Sequence, residues 1–247
     1  MPEKDSKVQE KLITQKTEGD SSRYDFNNIT PKFFILEQTQ ESVCGLDNRI
    51  KVTNTASLPF KAICKLYMKA ANGKNFIGTG WLTHANKLYT AGHCVYDHDE
   101  GGWMDSIIVV PAKSGNSEPF GRYTSSDLVA ANGWINDRSK RYDVGAIKLS
   151  SNVSHSDFLN PSISDSDAAT VCGYPGDRDT GIFQYKMRDS IQKRDGRFFY
   201  QIDTFGGQSG GPVLRNNGIA IGIHNYGGCD NSASDLYQGL IDFVEEW

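Results

Sequence analysis

An all-β fold is what this sequence predicts, and three observations carry the prediction. Apolar and β-branched runs of strand length recur from Lys61 to Asn225. Turn clusters such as Asn72-Gly73-Lys74-Asn75, Lys113-Ser114-Gly115-Asn116 and Arg215-Asn216-Asn217-Gly218 separate them. The composition, 38% apolar with 25 glycines in 247 residues, suits many short strands joined by turns.

Taken in chain order, the first segment stands apart. Met1 to Asp25 is rich in Lys, Glu, Asp, Gln and Ser, with scattered Val8, Leu12, Ile13 and Tyr24. Such a stretch buries too little surface to offset its ordering entropy, so it is expected to be largely disordered. Lys32-Phe33-Phe34-Ile35-Leu36 is an apolar exception that could dock on the body. Strands are expected at Lys61–Met68, Phe76–Leu82, Ser106–Val110, Val144–Leu149, Ala169–Gly173, Ile182–Met187, Arg197–Ile202, Pro212–Leu214 and Ile219–Asn225. Asn217-Gly218 between two apolar runs signals a hairpin. Leu240, Ile241, Val244 and Trp247 fall at helical spacing and predict a short C-terminal helix. No internal repeat is visible. The chain is long enough to bury a substantial core. It contains no apolar run near the ~20 residues of a membrane span. A net charge of −4 and a pI near 5.7 argue against nucleic acid as the main partner.

Three short segments carry the chemistry: Thr90-Ala91-Gly92-His93-Cys94, Arg141-Tyr142-Asp143-Val144-Gly145-Ala146-Ile147 and Gly206-Gly207-Gln208-Ser209-Gly210-Gly211-Pro212. A serine hydroxyl is a poor nucleophile until a neighbouring base takes its proton. Neutral imidazole suits that task near neutral pH. A buried carboxylate on the other ring nitrogen fixes the tautomer and stabilises the imidazolium. Asp143 stands at the mouth of an apolar strand, where it can be buried against His93. The glycines around Ser209 permit a sharp turn that can aim the N–H groups of Gly207 and Ser209 at one point, an oxyanion hole. Taken singly, a Gly-Ser-Gly is a loop, a His beside a Cys is structural or a metal ligand, and an Asp before a strand is a cap. The three together, in the order His, Asp, Ser, point to acyl transfer.

At these residues the chain resembles the chymotrypsin-like serine proteases. Ala91-Gly92-His93-Cys94 and Gly207-Gln208-Ser209-Gly210-Gly211-Pro212 look like their signature segments. Within them it is similar to the bacterial glutamyl endopeptidases, through Asn48-Arg49-Ile50-Lys51-Val52, Gly92-His93-Cys94-Val95-Tyr96, Gly173-Tyr174-Pro175-Gly176-Asp177, Ile202-Asp203-Thr204-Phe205 and Gly222-Ile223-His224-Asn225. The likeness covers 42–247 as the protease domain and leaves 1–41 as a polar extension. It implies two six-stranded antiparallel β-barrels with the site between them: His93 and Asp143 in the first barrel, Ser209 in the second.

The resemblance also assigns a specificity pocket. A threonine and a histidine at the spacings of Thr204 and His224 hold the substrate's glutamate carboxylate in glutamyl endopeptidases. The chemistry agrees, since a hydroxyl and an imidazole, protonated or hydrogen-bonding, can satisfy a carboxylate. Asn225, Tyr226 and Gly227 are expected to pair their backbone with the substrate as an added strand. In trypsin a new N-terminal amine pairs with an Asp directly before the catalytic serine; here that residue is Gln208, so that switch is absent. In glutamyl endopeptidases the amine instead helps neutralise the substrate carboxylate. The mature body is then expected to begin near Ser42-Val43, after cleavage at Glu41, which makes 1–41 a pro-segment and the chain a zymogen.

The odd count of five cysteines leaves at least one without an intramolecular partner: Cys44, Cys64, Cys94, Cys172 and Cys229. The family pairs the Cys after the catalytic His with one on the preceding strand. Gly78 stands at the matching place, and Cys64 is the candidate substitute. No signal peptide is evident at the start. Family habit favours secretion while the cysteines and the missing signal favour the cell interior, so the compartment stays open. Tyr96-Asp97-His98-Asp99-Glu100 offers cation ligands but reads first as a solvated loop. Asn28-Ile29-Thr30 and Asn152-Val153-Ser154 match the glycosylation pattern, which is common by chance. The expectation is a monomeric serine endopeptidase acting on protein or peptide substrates, cutting after Glu and less well after Asp, with no metal or organic cofactor. A protease of this fold with another preference, and a pseudoprotease that binds through the same cleft, are the rivals.

Overall fold

Alternation along single strands sets the architecture. In Ile63–Ala70, Cys64, Leu66, Met68 and Ala70 are buried while Tyr67 and Lys69 on the opposite face are partly exposed. The structure, a computed structural model, describes residues 11–17 and 42–247. In chain order the strands are β1 (Leu12–Lys16), β2 (Ile50–Lys51), β3 (Ile63–Ala70), β4 (Asn75–Leu82), β5 (Lys87–Thr90), β6 (Tyr96–Asp97), β7 (Gly102–Pro111) and β8 (Tyr123–Ala131). A short helix, α1 (Asn132–Asp137), follows. Then come β9 (Gly145–Leu149), β10 (Asn160–Pro161), β11 (Ala168–Gly173), β12 (Tyr185–Ser190), β13 (Gln192–Arg194), β14 (Arg197–Tyr200), β15 (Pro212–Asn216), β16 (Ile219–Tyr226), β17 (Asn231–Asp235) and the C-terminal helix α2 (Gln238–Glu246).

The first sheet runs β8-β9-β5-β4-β3-β7 and closes through β7 against β8, making a six-stranded barrel. The second sheet runs β13-β14-β17-β16-β15-β11-β12-β2 as an open path, a half-barrel. Its curl is spanned covalently: β12 and β13 are separated by Ile191 alone, yet β12 pairs with β11 and β13 with β14. Of the two six-stranded barrels expected, the first is present and closed by hydrogen bonds, while the second is a half-barrel whose strands β12 and β13 are joined through a bend. α2 buries Leu240 and Val244 against the first core, as its spacing predicted.

The expected strands omitted β5 and β8 and the short β2, β6, β10 and β13, and three further elements depart from expectation. The polar N-terminal segment is not wholly without order, because Leu12–Lys16 forms β1 against β8, from Leu12 opposite Ala131 to Lys16 opposite Asp127. β7 pairs with β8 only at Tyr123 and Thr124, so residues 127–131 present a backbone edge, and ladder bonds to an existing strand supply what an isolated polar segment lacks. The rest of the predicted disordered stretch, Lys32–Leu36, Glu41 and Asn28 lie outside the described residues. β17 has no apolar alternation because it is built from small polar residues that are buried, Ser232, Ala233 and Ser234, with Ser234 N–H donating to Asn225 Oδ1 at 2.8 Å. α1 ends at Arg138, whose left-handed backbone (φ 51°) turns the chain back toward Asp143.

Candidate active site

The site lies where the two sheets meet, and loops at strand ends supply its residues. His93 sits in a one-turn 3-10 helix, Gly92–Cys94, directly after β5. Asp143 follows a similar turn, Lys140–Tyr142, just before β9. The 3-10 turn folds His93's own backbone toward the carboxylate. Asp143 Oδ1 accepts the His93 N–H at 2.8 Å and Oδ2 meets His93 Nδ1 at 2.7 Å. Gly92 allows this approach: a Cβ there would stand 2.8 Å from Asp143 Oδ1. Asn225, on β16 of the other sheet, donates through Nδ2 to the Asp143 carbonyl and so ties the two halves together. The rings of Trp134 and Tyr226 flank the imidazole, with centroids 6.3 and 6.2 Å away.

Asp143 is fully buried and His93 nearly so. Burial alone would lower the His93 pKa, but the Asp143 charge, Cys94 and the Asp143 hydrogen bond outweigh it and hold the imidazole well above its ordinary value. Burial pushes Asp143 upward, yet the His93 charge and hydrogen bonds keep its carboxyl below the usual range. This is a base whose Nδ1 is fixed by an anion. Its Nε2 is buried with no hydrogen-bond partner among the described residues, leaving it as the nitrogen that can exchange a proton with a nucleophile.

Ser209 occupies the turn that leads into β15. Its carbonyl accepts the Thr79 N–H at 2.9 Å and the Cys94 thiol at 3.7 Å, which locks the loop onto the His93 turn. The loop before it takes a shape that requires glycine. Gly207 has φ 103°, and a Cβ there would lie 2.5 Å from the Tyr174 carbonyl. The Gly206 carbonyl accepts the Gly176 N–H at 2.7 Å. In a trans peptide the C=O and N–H point oppositely, so the Gly207 N–H faces away from the 174–176 loop. Gln208 Oε1 accepts the Phe205 N–H at 3.1 Å and a contact from Arg49 at 3.5 Å. Arg49, its guanidinium buried, is clamped by Asp47 and Asp177 at 2.7 and 2.6 Å. The residue before Ser209 is thus satisfied from within.

Thr204 lies just before this loop in the chain and His224 is bonded to the residues just after it, and both are fully buried. Gly210 N–H donates to the His224 carbonyl at 2.7 Å and His224 N–H to the Gly211 carbonyl at 2.9 Å, so β16 is stitched to the residues after Ser209. His224 Nδ1 meets the Tyr200 hydroxyl at 2.6 Å. Burial, reinforced by the His93 charge, pushes His224 down to about 3. The sequence left a protonated or neutral imidazole open; in the folded chain it is neutral. The Thr204 hydroxyl is buried with no hydrogen-bond partner among the described residues. Of the three residues expected to offer backbone to a substrate, Asn225 has its side chain committed to Asp143 and Ser234, Tyr226 is buried at the end of β16, and Gly227 lies just beyond.

Ser42, expected to begin the mature body, is bonded beside Thr204: its carbonyl accepts the Thr204 N–H at 3.3 Å and Asn231 Nδ2 at 2.8 Å. Asn231 and the contacts of Asp203 escaped sequence reasoning. Asp203 accepts the N–H groups of Cys44 and Asn48 at 2.8 and 2.9 Å. Cys44 is disulfide-bonded to Cys229, while Cys64, Cys94 and Cys172 are free and buried. Cys64 does not stand in as partner of Cys94, because its thiol turns to the Ala62 carbonyl. The odd count was the available signal, but it named no pair. In the Tyr96–Glu100 loop the carboxylates have protein partners: Asp99 pairs with Arg138, and Glu100 with Lys74. Asp97 and Glu100 are buried, so the loop is less solvated than expected. Among the described residues no three His, Cys, Asp or Glu side chains converge on a metal position.

The family model for trypsin matches residues 53–245. The chain belongs to the trypsin family. This protease is 30% identical over 225 residues to the glutamyl endopeptidase of Bacillus licheniformis, covering 84% of this chain and 69% of that protein. It is also 30% identical over 256 residues to a Bacillus subtilis protein named extracellular metalloprotease, covering 95% of this chain and 82% of that one. Among solved structures, a Glu endopeptidase in complex with MPD superposes with a TM-score of 0.74 at 28% identity, covering 83% of this chain and 98% of that one. The protease is therefore a chymotrypsin-fold serine protease related to the glutamyl endopeptidases, and its substrates are proteins or peptides.

Proposed function

We propose that this protease hydrolyses peptide bonds after Glu, and less readily after Asp, through Ser209, His93 and Asp143. Ser209 attacks the scissile carbonyl while His93 Nε2 takes its proton. Asp143 holds the ring in the orientation that leaves Nε2 free to do so. The tetrahedral oxyanion is held by the N–H groups of Gly207 and Ser209, each worth roughly 3–4 kcal/mol in transition-state stabilisation. His93 then returns the proton to the departing amine, and water repeats the sequence on the acyl-enzyme.

The observation that carries the Glu reading is the pair Thr204 and His224, two buried hydrogen-bonding side chains beside the reactive loop, where a substrate side chain would enter. Names of relatives support it, since glutamyl endopeptidases recur among them. Maturation is by cleavage after Glu41, a residue the protease itself would recognise. Matched peptides bearing Glu, Asp, Gln, Lys or Phe at the cleaved position test the assignment, with Ser209→Ala as blank. Glu should be hydrolysed fastest and Asp second. Preferred cleavage after Lys or Phe would retain the nucleophile and refute the pocket.

A further inference from the structure

Cations gather where β16 ends. The ladder between β15 and β16 stops at Ile223 opposite Pro212, and His224 is held by Gly210 and Gly211. On that side Tyr226 has no ladder partner among the described residues. Its ring stands 6.2 Å from His93. Lys140 Nζ lies 4.7 Å from the centroid of the same ring, and Arg197 Cζ 5.5 Å. Arg141 joins them through a contact between turns: a Cβ on Gly196 would lie 2.3 Å from Arg141 Nε. The turn before Asp143 therefore packs on the turn between β13 and β14. Both are pinned by β17, where Ser234 Oγ donates to the Lys140 carbonyl at 3.0 Å and Ser232 Oγ accepts from Arg197 Nη2 at 2.5 Å. Among the described residues, Lys140, Arg141 and Arg197 form no ion pair, and Arg197 Nε is buried with no hydrogen-bond partner. The carboxylates around them are engaged elsewhere: Asp143 with His93, Asp230 with Arg194 at 3.0 Å and Asp235 with Lys193 at 3.3 Å. In a chain of net charge −4, three neighbouring cations without counter-ions repel one another at a cost that an arriving anion removes.

We infer that Lys140, Arg141 and Arg197 form a second acid-reading site whose counter-ion arrives with the substrate, as an Asp or Glu side chain at the second to fourth residue counted back from the cleaved bond. This rests on the reading of Ser209 as nucleophile and of the 225–227 edge as the place where substrate backbone lies. It does not depend on what the Thr204 and His224 pocket prefers. A peptide added to that edge is extended, with side chains on alternate faces. Counted back from the carbonyl at Ser209, its second to fourth residues lie about 3 to 10 Å upstream. That stretch passes Tyr226, the ring beside His93, and comes within reach of the cations around it. Arginine offers a carboxylate a planar fork, and lysine a mobile point charge. Lys140 and Arg141 are exposed, so each pair is modest. One acid should raise kcat/KM about two- to fivefold, and acids at two positions about tenfold. The preference is electrostatic and is therefore weakened by salt.

The test is a peptide series built on whichever residue is cleaved fastest, Glu by expectation, with Glu, Gln or Lys placed in turn at the second, third and fourth positions. Rates are measured in about 0.1 M and about 1 M salt, between which the screening length falls from about 10 to about 3 Å. At one or more positions Glu should exceed Gln by about two- to fivefold and Lys should fall below Gln. The Glu-to-Lys ratio should shrink in high salt. The double variant Lys140→Glu, Arg141→Glu changes exposed side chains and should invert the order, so that Lys peptides are cleaved faster than Glu peptides. General damage to the fold cannot produce such an inversion. Arg197→Gln should lower the Glu-to-Gln ratio, and Arg197→Lys should retain most of it. Equal rates for Glu, Gln and Lys at all three positions, or an order unmoved by the double reversal, would overturn the inference and leave Ser209 and the primary pocket as proposed. A series in which no peptide is cleaved would overturn the hydrolytic reading, and this inference with it. Fastest cleavage after a residue other than Glu, with the upstream acid preference present, would support this inference and refute the Thr204 and His224 pocket.

Discussion

Asp143 shows how much a single carboxylate can organise. One oxygen fixes the backbone of the His93 turn, the other fixes its ring, and its main-chain carbonyl is held by Asn225 from the opposite sheet. Its charge also keeps His93 above the usual imidazole range against the effect of burial. A general base must be unprotonated, so the acid limb of kcat/KM should lie above pH 6.5, the ordinary imidazole value. Asp143→Asn should cut kcat by about four orders of magnitude. It should also shift the residual limb to lower pH, because burial is then left to act on His93; a pH–rate profile checks both. Stability should respond through the two histidines with opposite signs. His93, raised in the folded state, contributes stability that is full below its unfolded value of about 6.5 and is lost as pH rises through its folded value. His224 is depressed to about 3, so the unfolded chain takes up a proton first and stability falls as pH drops from 6.5 toward 3. That loss is at most about 1.4 kcal/mol per pH unit. Urea midpoints measured from pH 7 to pH 4 should decline less steeply in His224→Gln than in the parent.

Elements differ in how legibly they are written. β3, β4, β9 and β16 carry runs of buried apolar residues, and each was readable to within a few residues. β17 was not, because a strand of serines and an alanine contributes small buried volumes rather than an apolar face. The reason lies across the sheet: β17 pairs with β14, whose Phe198 is fully buried and so close to β16 that a Cβ on Gly222 would approach its ring to 3.1 Å. Large residues on one strand demand small ones on its neighbours, and that relation spans tens of residues. β1 was missed for the complementary reason, since its order comes from the edge of β8 and not from its own composition. β4 also holds a place for a bridge. A Cβ built on Gly78 stands 3.1 Å from Cys94 Sγ, close to the ~3 Å that a Cβ keeps from the far sulfur of a disulfide. Gly78→Cys should therefore bond to Cys94, provided the Met68 methyl, also 3.1 Å away, swings aside. Thiol titration in denaturant should find no more free thiols than in the parent minus one. Unfolding should be harder by up to about 3 kcal/mol, the entropic value for a loop of this size. One thiol more than the parent, rather than one fewer, would show that the bridge does not form.

At the scale of the whole molecule, the candidate residues His93, Asp143 and Ser209 were legible because they sit in short local signatures. The machinery around them was not, because it is made of contacts between distant segments. Ser42 meets Asn231 and Cys44 meets Asp203 across separations of 189 and 159 residues, and neither pair has a pattern of its own. These contacts carry the two-barrel logic of the fold. The closed barrel carries His93 and Asp143, the half-barrel carries Ser209, Thr204 and His224, which the proposed mechanism uses as nucleophile and pocket, and the segment at Ser42 is bound to the second. Asn225 is the side chain through which the half-barrel reaches the Asp143 backbone. The central claim is that this assembly makes Ser209 the nucleophile. A fluorophosphonate that reacts with activated serines, followed by mapping of the adducted peptide, tests it most directly. The account predicts one adduct per chain, on Ser209, absent in Ser209→Ala and strongly slowed in His93→Ala. An unlabelled chain, or an adduct on another residue that persists in Ser209→Ala, would contradict it.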